Sequence, residues 1–94
     1  MVSVIGFRDP EVALALVNQS QYGLGVVLMT EDFDGLEDWL LDGLDVGNVF
    51  VNSAIHENIR LPFGGVKNSG HSRNLGIYGM KSFCNTQTYF TGKR

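Results

Sequence analysis

Apolar positions change their period several times along the chain, and each change marks an element. Val2-Ser3-Val4-Ile5-Gly6-Phe7 is a short β-branched run that predicts a strand. Arg8-Asp9-Pro10 closes it: Asp9 suits a helix N-cap, and Pro10 suits the first helical position, where no N–H is needed. Val12, Ala13, Leu16 and Val17 then recur at helical spacing as one apolar stripe. Asn18 to Gln21 ends that helix, and Tyr22-Gly23-Leu24-Gly25 turns the chain into Val26-Val27-Leu28-Met29-Thr30. This second run is apolar without alternation, which predicts a parallel strand covered on both faces. Helical spacing returns from Asp32 to Leu44, with Leu36, Trp39, Leu40 and Leu44 inward and Asp34, Glu37, Asp38 and Asp42 on the wet face. Gly47 leads into a third strand, Asn48 to Asn52.

Strand, helix, strand, helix, strand at this spacing predicts an α/β fold, a three-layer βαβαβ unit around a parallel sheet. The pattern is lost after Asn52. Ser53 to Leu61 is irregular and polar, and Pro62 to Ser72 carries three glycines and no period, as in loops that approach a ligand or another backbone closely. A short helix is expected through Leu75, Tyr78, Met80 and Phe83. Asn85 to Thr91 alternates and is β-rich, an edge strand in want of a partner.

Length and charge narrow the picture. Ninety-four residues suffice for one small domain and leave no room for a separate cofactor domain. Such a domain is marginally stable unless something else covers its apolar faces. All ten acids lie in residues 9–57 with a single base, Arg8, before residue 59, whereas residues 59–94 carry six bases and no acid. The six bases are spread out rather than clustered, so mutual neutralisation of two packed halves is favoured over nucleic-acid binding. No apolar run reaches the length of a membrane span, and Met1 to Ile5 lacks the charged start of a signal peptide. A single cysteine excludes a disulfide framework, and a cytoplasmic protein is expected.

Chemical motifs are sparse. Gly65-Val66-Lys67-Asn68-Ser69-Gly70 starts like a phosphate-binding loop, but in the following His71-Ser72 a histidine stands where the lysine is required, which leaves the phosphate charge unmatched. Gly23-Leu24-Gly25 has Leu28 where a third glycine belongs, and precedes a strand rather than a helix. His56 and His71 have no ligand set around them, and Cys84 beside Phe83 is expected to be a buried, inert thiol.

Three segments taken together carry a resemblance. Gln21-Tyr22-Gly23-Leu24-Gly25, Gly47-Asn48-Val49-Phe50-Val51-Asn52, and Arg60-Leu61-Pro62-Phe63-Gly64-Gly65-Val66-Lys67-Asn68-Ser69-Gly70 with Arg73 and Leu75-Gly76 resemble, in order and spacing, the carboxy-terminal end of the aldehyde dehydrogenase superfamily. The Arg-Leu-Pro-Phe-Gly-Gly-Val-Lys form and the ending Phe83-Cys84-Asn85-Thr86-Gln87-Thr88 are most similar to bacterial succinate-semialdehyde dehydrogenases. The resemblance implies oxidation of an aldehyde to an acid through a cysteine thiolate, with hydride passing to NAD or NADP and a glutamate-activated water releasing the acyl group. It also implies that those groups and the coenzyme fold belong to upstream sequence, so that this chain binds no coenzyme and is inactive alone. Residues 1–84 then correspond to the last part of the catalytic domain, and residues 85–94 to the oligomerisation strand and tail. The partners implied are another copy or the rest of a dehydrogenase, with no nucleic acid and no membrane. A non-catalytic association module is the alternative.

Carried over residue by residue, Phe63 matches the phenylalanine walling the substrate tunnel, where an aromatic excludes water from the reacting carbonyl. His56 and Asn58 fall in the preceding loop, where either would donate to the distal carboxylate of a semialdehyde. The family's Ser-Gly-x-Gly-Arg-Glu-Leu becomes Ser69-Gly70-His71-Ser72-Arg73-Asn74-Leu75, so Ser72 replaces a glycine and Asn74 a glutamate linked to proton relay.

Overall fold

Asp9 and Pro10 start the first helix, as their residue types predict. In the computed structural model, which describes every residue except Phe33, Leu36 and Arg94, helix α1 spans Pro10–Asn18. Asp9 is extended and caps with its carbonyl rather than its carboxylate, accepting the N–H of Val12 at 3.1 Å and of Ala13 at 3.2 Å. Ala13, Leu14, Leu16 and Val17 are half-buried while Val12 faces solvent, so the apolar stripe is rotated by one position from that expected. Leu14 takes up the space over Gly43, where a Cβ would come within 2.7 Å of its Cδ2.

The parallel pair lies at the centre of the chain. β2 (Gly25–Leu28) and β3 (Asn48–Val51) run parallel, with Gly25 opposite Asn48 and Leu28 opposite Val51. The connection contains α2 (Asp38–Gly43), about half the helix the sequence pattern predicts. Two local bonds account for the late start: Thr30 Oγ1 accepts the N–H of Asp32 at 3.1 Å, and Asp32 Oδ1 accepts that of Gly35 at 2.8 Å. Such side-chain bonds offer the backbone an alternative to a helical turn. Leu36 of the predicted stripe lies outside the described residues, whereas Leu44 is the buried apolar side chain among them, at 9% exposure. The tip of β2 and the start of β3 are not covered on both faces, since Val27 and Val49 remain open.

A second pairing was not foreseen. β1 (Tyr22–Gly23) pairs antiparallel with β4 (Val66–Lys67), which ties the glycine-rich loop to the turn before β2. The last helix, α3, spans Gly76–Ser82.

Residues 2–7 and 85–91 differ from expectation: neither forms a strand within this chain, and the two sheets found among the described residues have two strands each. Within this chain the βαβαβ unit is therefore reduced to β2, α2 and β3. An edge strand needs another backbone for its N–H and C=O groups, and these two segments meet none here. The chain consequently spreads. Its radius of gyration is 18.3 Å, against about 12 Å for a compact domain of this length. It exposes 8302 Å², where a compact monomer of the same mass would expose about 5,400 Å².

Candidate functional site

The exit from β3 is fixed by one side chain. Asn52 has φ of 50°, a left-handed conformation that asparagine tolerates better than most residues. Its N–H bonds Leu28 O, its Oδ1 accepts the N–H of Thr30 and its Nδ2 donates to Thr30 O, each at 2.8 Å. The carboxamide thus takes the place of a peptide group and extends the β2–β3 pairing beyond the last backbone pair. From there the loop 53–61 folds back over β3. The ring of His56 rests on Phe50 at a centroid distance of 5.6 Å and an interplanar angle of 52°. His56 Nδ1 lies 3.0 Å from Ala54 O. A carbonyl only accepts, so Nδ1 carries the proton and Nε2 is left to accept in the neutral ring and to donate in the imidazolium. Asn58 is oriented in a comparable way: its Oδ1 accepts the N–H of Arg60 at 3.0 Å, leaving Nδ2 as the outward donor.

Phe63 is held through its backbone. Its N–H donates to Asn74 O and its carbonyl accepts the N–H of Asn74, both at 2.8 Å, forming an isolated antiparallel bridge. The next carbonyl, of Gly64, accepts from Asn48 Nδ2 at 2.8 Å, and the same nitrogen donates to Leu24 O at 2.7 Å. Gly47 makes this approach possible, because a Cβ there would overlap the Gly64 carbonyl oxygen. Arg73 Nη1 donates to Gly65 O at 2.8 Å and Ser72 O at 3.0 Å. Lys67 stands away from any phosphate role. Its Nζ donates to Asn18 O at 3.0 Å and Ser20 O at 3.1 Å, and lies 3.2 Å from Asp45 Oδ2, so it serves as the cation at the end of α1.

These contacts gather Phe63, His56 and Asn58 around one recess of about 150 Å³, which Asn48, Phe50 and Pro62 also line. Phe63 is half-buried, whereas His56 and Asn58 are exposed. The recess offers an apolar wall, the Asn58 Nδ2 donor and, in the protonated ring, the His56 Nε2 donor, a combination suited to orienting a short chain with an anionic end. Cys84 is not among its lining residues and, against expectation, is exposed; its thiol meets only Met80 O, at 3.5 Å. Among the described residues no group of three acidic, histidine or cysteine side chains could hold a metal, and no helix is long and apolar enough to cross a membrane. Neither glycine motif forms a phosphate-binding turn among the described residues: Gly25 opens a strand, and Lys67 of the Gly65–Gly70 loop is engaged by Asn18, Ser20 and Asp45.

Asn48, Phe50 and Asn52 are the site residues that motif reasoning missed. The signal available was compositional: asparagine is depleted in strands, so its presence at both ends of a Val-Phe-Val run points to a side-chain task.

Residues 1–89 match the profile of the aldehyde dehydrogenase family. The chain is 40% identical over 81 residues to a succinate semialdehyde dehydrogenase (NAD(P)+) of Escherichia coli K12, aligning 86% of its own length with 17% of that protein. It is 42% identical over 78 residues to a succinate-semialdehyde dehydrogenase (NADP+) of Deinococcus radiodurans, 83% of this chain and 16% of the relative. Among solved structures, betaine aldehyde dehydrogenase from Staphylococcus aureus in complex with NAD+ superposes with a TM-score of 0.80 at 33% identity, over 87% of this chain and 16% of that one. The chain thus spans about one sixth of the length of the relatives it matches. With nearly its whole length matched in both sequence and fold, the chain belongs to the aldehyde dehydrogenase family.

Proposed function

We propose that this chain forms the substrate-side wall of an NAD(P)-dependent dehydrogenase that oxidises succinate semialdehyde, or an aldehyde like it, to the acid. The observation that supports this most is the convergence of Phe63, His56 and Asn58 on one recess. Phe63 supplies the apolar face that keeps water from the reacting carbonyl. Asn58 Nδ2, and His56 Nε2 when the ring is protonated, donate to the distal carboxylate and fix which end of the aldehyde points away from the chemistry. Residues 1–84 form the last part of the catalytic domain. Residues 85–94 form the oligomerisation strand and tail, pairing with another copy or with the rest of the enzyme, whose strands complete the three-layer sheet. NAD or NADP is held by those other parts. The 94 residues alone hold neither nucleophile nor coenzyme and do not turn over, and the assembled enzyme is cytoplasmic.

The test is a chimera in which this chain replaces the matching segment of the Escherichia coli relative. It should reduce coenzyme with succinate semialdehyde faster than with butanal, which has the same length and no carboxylate. A soluble chimera that oxidises neither overturns the proposal. The 94-residue chain alone should give no reduced coenzyme, and any turnover sinks the claim of inactivity.

The large exposed surface favours a second reading, a non-catalytic module that binds another copy or a dehydrogenase subunit. A clean monomer in sedimentation at high concentration would remove it.

A further inference from the structure

We propose that Asn48 is a positioning residue that sets Phe63 against the substrate by tying the Gly64 carbonyl to the entrance of β2. The proposal rests on the reading of the recess given above. Three links hold the Phe63-Gly64-Gly65 backbone: Asn74 bonds Phe63, Arg73 bonds Gly65, and Asn48 bonds Gly64. Asn74 and Arg73 belong to the irregular segment before α3, so these two bonds join loop to loop. Asn48 is the link that reaches from a strand of the parallel pair, where it stands opposite Gly25. Rigid elements position a site more tightly than loops do. The residue type is also specific to the task. Both protons of Nδ2 are engaged, one on Leu24 O and one on Gly64 O. Aspartate has the same shape but no proton to give, and serine has one. Asparagine in a strand is otherwise disfavoured, and here Asn48 also lines the recess that Phe63 lines.

In the chimera described above, Asn48→Asp sets a carboxylate against two carbonyl oxygens and should displace the Phe63 wall. KM for succinate semialdehyde should rise about tenfold, and less in Asn48→Ser, while kcat per titrated active site falls by a smaller factor. Amide exchange at Phe63 and Asn74 should quicken in both variants. A residue that only supports folding would lower the number of active sites and leave KM alone. KM within about twofold of the parent in whichever variant folds, or unchanged exchange at the two amides, overturns the proposal. Phe63→Ala separates the two levels of the argument. If it leaves KM and kcat unchanged, the recess is not the substrate wall; if it alters them and the Asn48 variants do not, the positioning role alone fails.

Discussion

Phe63 and Asn74 exchange both of their backbone hydrogen bonds, at 2.8 Å each, so the aromatic side chain lining the recess and position 74, where the family resemblance implies a glutamate, are one mechanical unit. The Asn74 side chain is exposed and takes no part in the hydrogen bonds of the described residues. The task of position 74 in holding Phe63 is therefore carried by the backbone. Asn74→Pro removes the N–H that Phe63 O accepts and should destabilise the segment by about 1–3 kcal/mol. Asn74→Ala and Asn74→Glu should stay within about 0.5 kcal/mol of the parent. Urea midpoints of the three variants check this, and equal losses in all three would show that the side chain matters after all.

Lys67 joins the end of α1 to the loop between α2 and β3 through two carbonyls and Asp45. The carbonyl bonds matter more than the ion pair, because the Asp45 side chain is mostly exposed and an exposed pair is worth about 0–1 kcal/mol. Lys67→Met should lower stability by about 1–3 kcal/mol. Asp45→Asn should lower it by no more than about 0.5 kcal/mol. Thermal unfolding of both decides the order, and a larger loss in the Asp45 variant would reverse it.

Asn52 combines a left-handed backbone with a side chain that bonds Thr30 twice, and two substitutions separate these contributions. Asn52→Ala loses both, and should cost about 2–3 kcal/mol. Asn52→Gly loses the bonds but fits φ of 50°, so it should recover about 1 kcal/mol of that loss. Denaturant unfolding of the pair checks the difference, and a glycine variant no better than alanine would mean that the backbone conformation carries no strain.

The parts legible in the sequence were those whose cause is local. Asp9-Pro10 starts α1 because a proline has no N–H to satisfy there, and the Val-Phe-Val run forms β3 because its side chains suit a pleated surface. The failures share a different cause. Residues 2–7 and 85–91 have strand composition but no neighbouring backbone in this chain, and strand pairing is a property of two segments. The second helix begins at Asp38 rather than Asp32 because the Thr30 hydroxyl and the Asp32 carboxylate hold a turn that periodicity does not register. In the site, the motif supplied Phe63 and the loop of His56 and Asn58. The links through Asn48 and Asn74 join residues distant in sequence, and spacing alone carries no trace of them.

Tyr89 and Phe90 are 86% and 90% exposed, in the same segment that has strand composition without a partner. Together with Phe83 and the open edge of the parallel pair, they account for part of the excess of 8302 Å² over the surface of a compact monomer. Exposed apolar surface of this extent binds hydrophobic dyes until something covers it. The isolated chain should therefore enhance the fluorescence of 8-anilinonaphthalene-1-sulfonate, and the chimera, in which the rest of a dehydrogenase lies against it, should not. Deleting residues 85–94 should lower the signal of the isolated chain in part, because the faces of α1 and α2 stay open. Equal dye binding by chain and chimera would mean that the dehydrogenase does not cover these faces, and an unchanged signal after the deletion would mean that Tyr89 and Phe90 are not part of the uncovered surface.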